Sequence, residues 1–497
     1  MRNIFTAFFI LFLFNLLTAE SIKVPGDFSS IQDAIDNSAD GDTILVEPGT
    51  YQENIEVRNK SFVLTSNFIF SKSESDVMNT VIDGDNGDYV FRIYESDKAP
   101  LSIIGITIQN ADDGIMPNAK FNIMNCIVTK CTDGIDYESG SGGICKDNTF
   151  EYNDDDGIDL DEDVDILIEN NKIINNDDDG IEIRLHKYSG ALLNYEIKNN
   201  IISGNDEDGI QIIDYPDVSD RILKIYNNLI FNNSMSGIGL MSDGNTVENY
   251  EGAPIEEPIE IINNTFSDNE YGITGGANLI AKNNIIINCA KTAYKNVSEA
   301  SLITYTCLWN NGQDFSNSNY ENNTIENINP AFSDKQDFIL AENSECIDAG
   351  DPDSEYDDPN AQNGSGSALW PSKGTTRNDL GAYGGPYADD WDTKVITKIN
   401  DEKAGQLLPL NNSLFQNYPN PFNPSTTISY KIKENTTVNV RVFDSNGKVV
   451  SELVNKIQQP GTYSEFFNAT GLSSGVYYFS ISTGNGFSQT RKMVLLR

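Results

Sequence analysis

The chain has 497 residues, with 33 Lys and Arg against 75 Asp and Glu, a single His and a net charge of −42. The length accommodates two or three domains, and the charge argues against nucleic acid as a partner, because little is present to neutralise phosphates. Six scattered cysteines without a CxxC pair exclude the usual redox and zinc spacings.

Met1-Arg2, the apolar run Phe5 to Leu17 and Thr18-Ala19-Glu20 predict a secretory signal peptide over residues 1–19. The run is short for a membrane span, and no later stretch approaches about 18 consecutive apolar residues, so no transmembrane segment is expected in the mature protein. Export would permit a disulfide, for which Cys126, Cys131 and Cys145 form the closest set; burial as free thiols is the other expectation.

Asp27 to Ile35 reads as a short amphipathic helix, with Ser29 and Gln32 at capping-box spacing and Ile31 and Ile35 on one face. Strands are expected from Thr43-Ile44-Leu45-Val46 onward. The stretch Gly26-Asp27-Phe28, Asp40-Gly41-Asp42-Thr43-Ile44 and Pro48-Gly49-Thr50-Tyr51 resembles the opening segment of pectin-lyase-like β-helix proteins, including pectin methylesterases. The resemblance implies a right-handed β-helix whose first coil the short helix plugs.

Between residues 105 and 275 Gly-Ile recurs seven times in one register, at Gly114, Gly134, Gly157, Gly180, Gly209, Gly237 and Gly272, with intervals of 20, 23, 23, 29, 28 and 35 residues. Asn125, Asn148, Asn171, Asn200 and Asn228 each precede a Gly by nine residues and Asn264 precedes one by eight. Ile one residue after each Gly, with Tyr137, Leu160, Ile183, Ile212 and Leu240 three after five of them, gives a period of two, which is strand. Most intervals are too short for a βαβ unit of about 30 residues. One coil is therefore stacked on itself as a parallel β-helix, a solenoid with strands about 4.8 Å apart. Gly and Asn are expected at its corners because they tolerate positive φ, and the Asn-Asn pairs from Asn170-Asn171 to Asn283-Asn284 are expected to ladder their amides.

The same register stacks carboxylates. Asp113, Asp133, Asp156, Asp179 and Asp208 stand directly before their glycines, and residues 133 to 208 hold twenty-two acids against five Lys or Arg. Two like charges about 5 Å apart repel by about 0.8 kcal/mol even in bulk water. A structural Ca2+ is the expected counterion, being tolerant of six to eight oxygens in loose geometry; the alternative is that each Asp bonds the backbone of its own Asp-Gly turn. Asp351, Asp353, Glu355 and Asp357, on alternating residues of a later loop, with Asp358, form a second candidate calcium site.

Two residues after Gly come Asp136, Asp159, Glu182 and Gln211; four after come Glu138, Asp161 and Arg184, followed by His186 and Lys187. Asn153 to Asp159 resembles the Asn-x-Asp-Gly-Ile-Asp stretch of polygalacturonases, but the His-Gly and Arg-x-Lys elements of that family have no counterpart here. Polysaccharide lyases on this fold imply another arrangement, in which calcium neutralises a uronate and a Lys or Arg takes the α-proton. Asp159, Glu182, Arg184 and Lys187 are the candidate catalytic residues on that reading. Two functions stay open: a calcium-carrying β-helix for extracellular polysaccharide contact or a surface structural or adhesive role, and a calcium-dependent polysaccharide lyase or glycoside hydrolase acting on uronate-containing glycans.

Asn329 to Phe332 and Asp337 to Leu340 read as a last coil. The segments Ile347 to Pro352 and Arg377 to Pro386 resemble the closing segment of secreted β-helix proteins. The β-helix is thus expected over 20–387 and a linker over 388–413. Residues 414–497 change character, with a balance of eight basic to four acidic residues from 411 on and turns at Asn446-Gly447, Pro460-Gly461 and Ser474-Gly475. Short alternating strands of this kind make a small β-sandwich. From Phe415-Gln416-Asn417-Tyr418-Pro419-Asn420-Pro421-Phe422 to Arg491-Lys492-Met493-Val494-Leu495 the segment resembles the C-terminal sorting domain of the type IX secretion system. That resemblance implies export through the periplasm to the surface or medium, with the type IX machinery as a partner.

Overall fold

Inward apolar columns, Asn corners and short turns leave each coil one way to close, and the computed structural model shows it. The structure describes residues 21–388 and 412–495, apart from 162, 216–220, 243–254, 256, 299, 322, 334–336, 362–365, 415–416, 418–421, 423, 434, 446 and 460. The expected signal peptide and most of the expected linker lie outside the described residues. Two compact units divide near residue 392.

The first unit is a parallel β-helix of three strands per coil. Asp165–Glu169, Lys172–Ile174 and Ile181–Leu185 form one such coil. A twelve-stranded parallel sheet runs along one side from Ser21–Val24 to Leu302–Thr304. Register is strict: Ile158 pairs with Ile181, Ile181 with Ile210 and Ile210 with Ile238, and all four are fully buried. Strand Ser21–Val24 precedes the expected first strand and pairs with Thr43–Val46. The helix is Ile31–Asn37, capped by Ser30 rather than Ser29; the amides of Ile31 and Gln32 donate to the Glu53 carboxylate at 2.9 Å. Ile31, Ala34 and Ile35 are buried at the end of the core, as a plug requires.

The second Asn of each pair forms a buried ladder. Asn148 donates to Asn171, Asn171 to Asn200, Asn200 to Asn228 and Asn228 to Asn264, each through Nδ2 to the next Oδ1 at 3.0 Å. The first Asn of each pair holds a left-handed corner, with φ near 56°. Asn125 belongs to that corner set, so the expected ladder position is taken by Cys126, whose amide donates to Asn148 Oδ1. A second ladder, Asn153, Asn176, Asn205, Asn233 and Asn269, lies closer to the glycines and was not foreseen.

The ladder glycines correct the expectation of positive φ, since none of them adopts it. They are required by close approach. A Cβ on Gly180 would lie 2.6 Å from the Gly209 carbonyl oxygen, 2.7 Å from Ile202 Cγ2 and 2.8 Å from Asn205 Nδ2. The oxygen belongs to the next coil's backbone and cannot step aside. Gly180→Ala is expected to destabilise the β-helix by about 1–3 kcal/mol through overpacking, read as a lowered urea midpoint; a wild-type midpoint would refute the packing role.

Beyond the last coils the chain turns back. Phe332 and Leu340 form an antiparallel bridge in place of the expected parallel coil. Residues 379–387 then run along the corner asparagines toward earlier coils. Asn263 Nδ2 donates to the carbonyls of Asp379 and Gly381, Asn227 Nδ2 to those of Ala382 and Gly384, and Asn199 Nδ2 to that of Tyr387. This strap ties three coils together from outside.

The second unit pairs a three-stranded antiparallel sheet, containing Ser425–Ile432 and Gly461–Asn468, with a four-stranded sheet containing Thr436–Phe443 and Gly475–Thr483. Val438, Val440, Val442, Phe479 and Ile481 alternate inward into its core, the arrangement of a small sandwich.

Candidate functional site

The acidic register of the Gly-Ile coils becomes three adjacent columns. The column before the glycines forms a carboxylate ladder of its own. Oδ1 of Asp133 accepts the amide of Asp156 at 3.1 Å, that of Asp156 the amide of Asp179 at 2.9 Å, that of Asp179 the amide of Asp208 at 2.6 Å, and that of Asp208 the amide of Ser236 at 2.5 Å. Each side chain therefore bonds the backbone of the following coil. Asp156, Asp179 and Asp208 are buried. Burial pushes Asp133 up to about 6 and Asp113 to about 7, and holds Asp156 and Asp179 well above the usual carboxylate range.

In the second column Asp136 stacks on Asp159, Asp159 on Glu182 and Glu182 on Gln211. These positions alternate with the inward Ile and Leu residues, yet Asp159, Glu182 and Gln211 are themselves buried. Burial, with the neighbouring acids, raises Asp159 to about 9 and Asp136 and Glu182 to about 7. Buried Oδ1 atoms of both Asp136 and Asp159 have no hydrogen-bond partner.

The third column brings Arg184 into contact with three acids. Its Nη1 lies 2.5 Å from Asp159 Oδ2 and 2.7 Å from Asp161 Oδ1, and its Nη2 meets Glu182. Burial opposes the charge on Arg184, but Asp159, Glu182 and Asp161 outweigh it and lift the guanidinium pKa above its ordinary value. Arg184 is thus held as a cation among three acids. Lys187, exposed in the following loop, is engaged with other groups, and His186 stacks on Tyr215 at 3.8 Å.

Four groups of carboxylates place one oxygen from each member within 4.8 Å of the others: Asp136, Asp159 and Asp161; Asp156, Asp159 and Glu182; Asp155, Asp156 and Asp178; and Asp178, Asp179 and Glu207. Among the expected metal residues, Asp156 and Asp179 join such groups, whereas Asp133 and Asp208 occupy the ladder beside them. Asp136, Asp155, Asp161, Asp178 and Glu207 were not among the expected ligands, although their fixed offsets from Gly already marked their columns. The later loop differs. Asp351 is buried against Lys282 Nζ at 2.8 Å and accepts the Asp353 amide at 3.1 Å, and among the described residues Asp351, Asp353 and Asp357 form no comparable group.

The donors are all carboxylate oxygens, a set suited to a hard divalent cation. Two of them are buried without partners, and one Arg offsets only part of the surrounding charge. The residues present therefore fit a bound Ca2+, with Asp136, Asp156, Asp159, Asp161 and Glu182 nearest the unpartnered oxygens.

A family model described as a right-handed beta helix region matches residues 89–251, and one described as a secretion system C-terminal sorting domain matches residues 416–496. No curated protein sequence matches the chain significantly. Similar solved structures include pectate lyase Pel9A, at 16% identity over 74% of this chain and 97% of that one, with a TM-score of 0.43. Others are the catalytic domain of a GH87 alpha-1,3-glucanase (12% identity, 62% and 68% covered, TM-score 0.37) and an alginate lyase from Paenibacillus sp. (15% identity, 61% and 99% covered, TM-score 0.29). No helix among the described residues is long and apolar enough to cross a membrane. The chain is a secreted or cell-surface right-handed parallel β-helix protein that ends in a type IX secretion sorting domain.

Proposed function

We propose that this exported β-helix carries structural Ca2+ in its acidic columns and serves as a surface module in contact with extracellular polysaccharide. The observation that carries the reading is the pair of buried, unpartnered oxygens on Asp136 and Asp159, set among carboxylates that one Arg only partly offsets. A buried carboxylate oxygen without a partner is costly, and a divalent cation can bind such oxygens at several carboxylates at once. The columns pass from buried Asp159 to partly exposed Asp161, Asp155 and Asp178, so the charged face reaches solvent where an acidic glycan can share the ion. Arg184 is paired with three acids, which disfavours its action as the base of a lyase. The structural and adhesive reading therefore stands ahead of the catalytic one.

Calcium at about 100 times its dissociation constant is expected to add about 2.7 kcal/mol of stability, seen as a raised thermal midpoint of residues 20–400. Asp159→Asn is expected to abolish most of that shift. An equal midpoint in calcium and in chelator would sink the metal reading. Binding to uronate-containing polysaccharide, measured in the same two conditions, should require calcium. Release of unsaturated products that Arg184→Ala abolishes would instead favour the lyase.

A further inference from the structure

We infer that Cys307 and Cys346 are joined by a disulfide in the secreted protein, forming a covalent staple between the last coil and the closing segment. In the structure both are free, fully buried thiols within one small apolar cluster with Ile285, Ile287, Leu340 and Leu380. The neighbouring Cys346 thiol, together with burial, raises the Cys307 thiol well above its ordinary pKa, and Cys307 Sγ donates to the Ile328 carbonyl at 3.3 Å. Both backbones are anchored where they stand. The Cys307 amide donates to the Asn284 carbonyl at 2.9 Å, the Cys346 amide to Ser344 Oγ at 3.1 Å, and the Cys346 carbonyl accepts the Leu380 amide at 3.0 Å. The bridge requires the sulfurs to close to about 2.05 Å.

Three of the other four cysteines have different engagements. Cys126 Sγ donates to the carbonyls of Ile103 and Met124, Cys131 Sγ to that of Thr129, and Cys145 Sγ to Asn171 Oδ1. The set between 126 and 145, nearest in sequence, is therefore distributed along the coils it belongs to. Export places the chain where thiols are oxidised. Each thiol gives up a proton and an electron as the S–S bond forms, and the disulfide of a thiol-disulfide oxidant in the export compartment is reduced to a dithiol. Because Leu340 and Leu380 shut the pair from solvent, the exchange precedes docking of the closing segment.

The test uses the full chain recovered from the secreting cell, denatured and alkylated without reduction, then digested. The expected result is a linked peptide containing Cys307 and Cys346, with four of the six cysteines alkylated. A Cys307→Ser, Cys346→Ser double variant should melt several degrees lower than the wild type, and the difference should vanish when both are denatured in strong reductant. Six alkylated cysteines in the unreduced protein would overturn the inference, as would a bridge between any other pair.

Discussion

Arg184→Met is expected to destabilise the β-helix by about 3–5 kcal/mol at pH 10, the cost of removing one partner from a buried ion pair, and by far less at pH 5. The methionine keeps most of the packing volume but leaves Asp159, Asp161 and Glu182 without their cation. Asp159 and Glu182 already have folded pKa values raised to about 9 and about 7 with Arg184 in place. Acids of this kind bind protons more tightly folded than unfolded. Their protonated forms are tolerated at low pH, and stability falls as pH climbs from the unfolded value near 4 through the folded values. Loss of Arg184 raises the folded values further and carries that fall to higher pH, so the two proteins diverge above about 7 for Glu182 and about 9 for Asp159. Urea unfolding of both proteins at pH 5 and pH 10 in chelator measures it. Equal losses at the two pH values would show that Arg184 acts by packing alone. Added calcium should recover part of the loss at pH 10 and little at pH 5, where protons hold the same oxygens.

Asn200→Leu is expected to cost about 2–6 kcal/mol, since each buried polar group left unpaired costs about 1–3 kcal/mol, while Asn171 Nδ2 keeps the Cys145 carbonyl and Asn228 Oδ1 keeps the backbone amide of residue 200. Asn200 Oδ1 accepts both the amide and the Nδ2 of Asn171, and its own Nδ2 donates to Ile168 O and Asn228 Oδ1. Leucine has nearly the same volume and satisfies none of these. Amide exchange at Asn171 should accelerate along with the fall in unfolding midpoint. A loss below about 1 kcal/mol, ordinary for a surface substitution, would mean that water replaces the ladder.

The stacking was legible because each coil repeats its predecessor. Gly-Ile spacing alone fixes that Asp136, Asp159 and Glu182 lie one above another, and it singles out Arg184 among them. Spacing does not reveal why a residue is there. Gly180 and Asn170 both looked like bends, but only Asn170 holds a left-handed corner, while Gly180 makes room for Gly209. Burial of the outward columns was not legible either, because alternation distinguishes faces without showing what covers them. Two kinds of contact left no pattern at all. Lys282 meets Asp351 from 69 positions away, and the strap bonds through its own carbonyls, which every sequence possesses.

That strap also determines how the molecule bears load. A bare solenoid pulled by its last coil peels one coil after another. Here a pull on the C-terminus enters at Tyr387, beside Asn199, and must first part the bonds at Asn199, then those at Asn227 and Asn263. The strap is thus a sacrificial tether: it lengthens under tension while the coils, with their ladders of asparagine and carboxylate, stay wound.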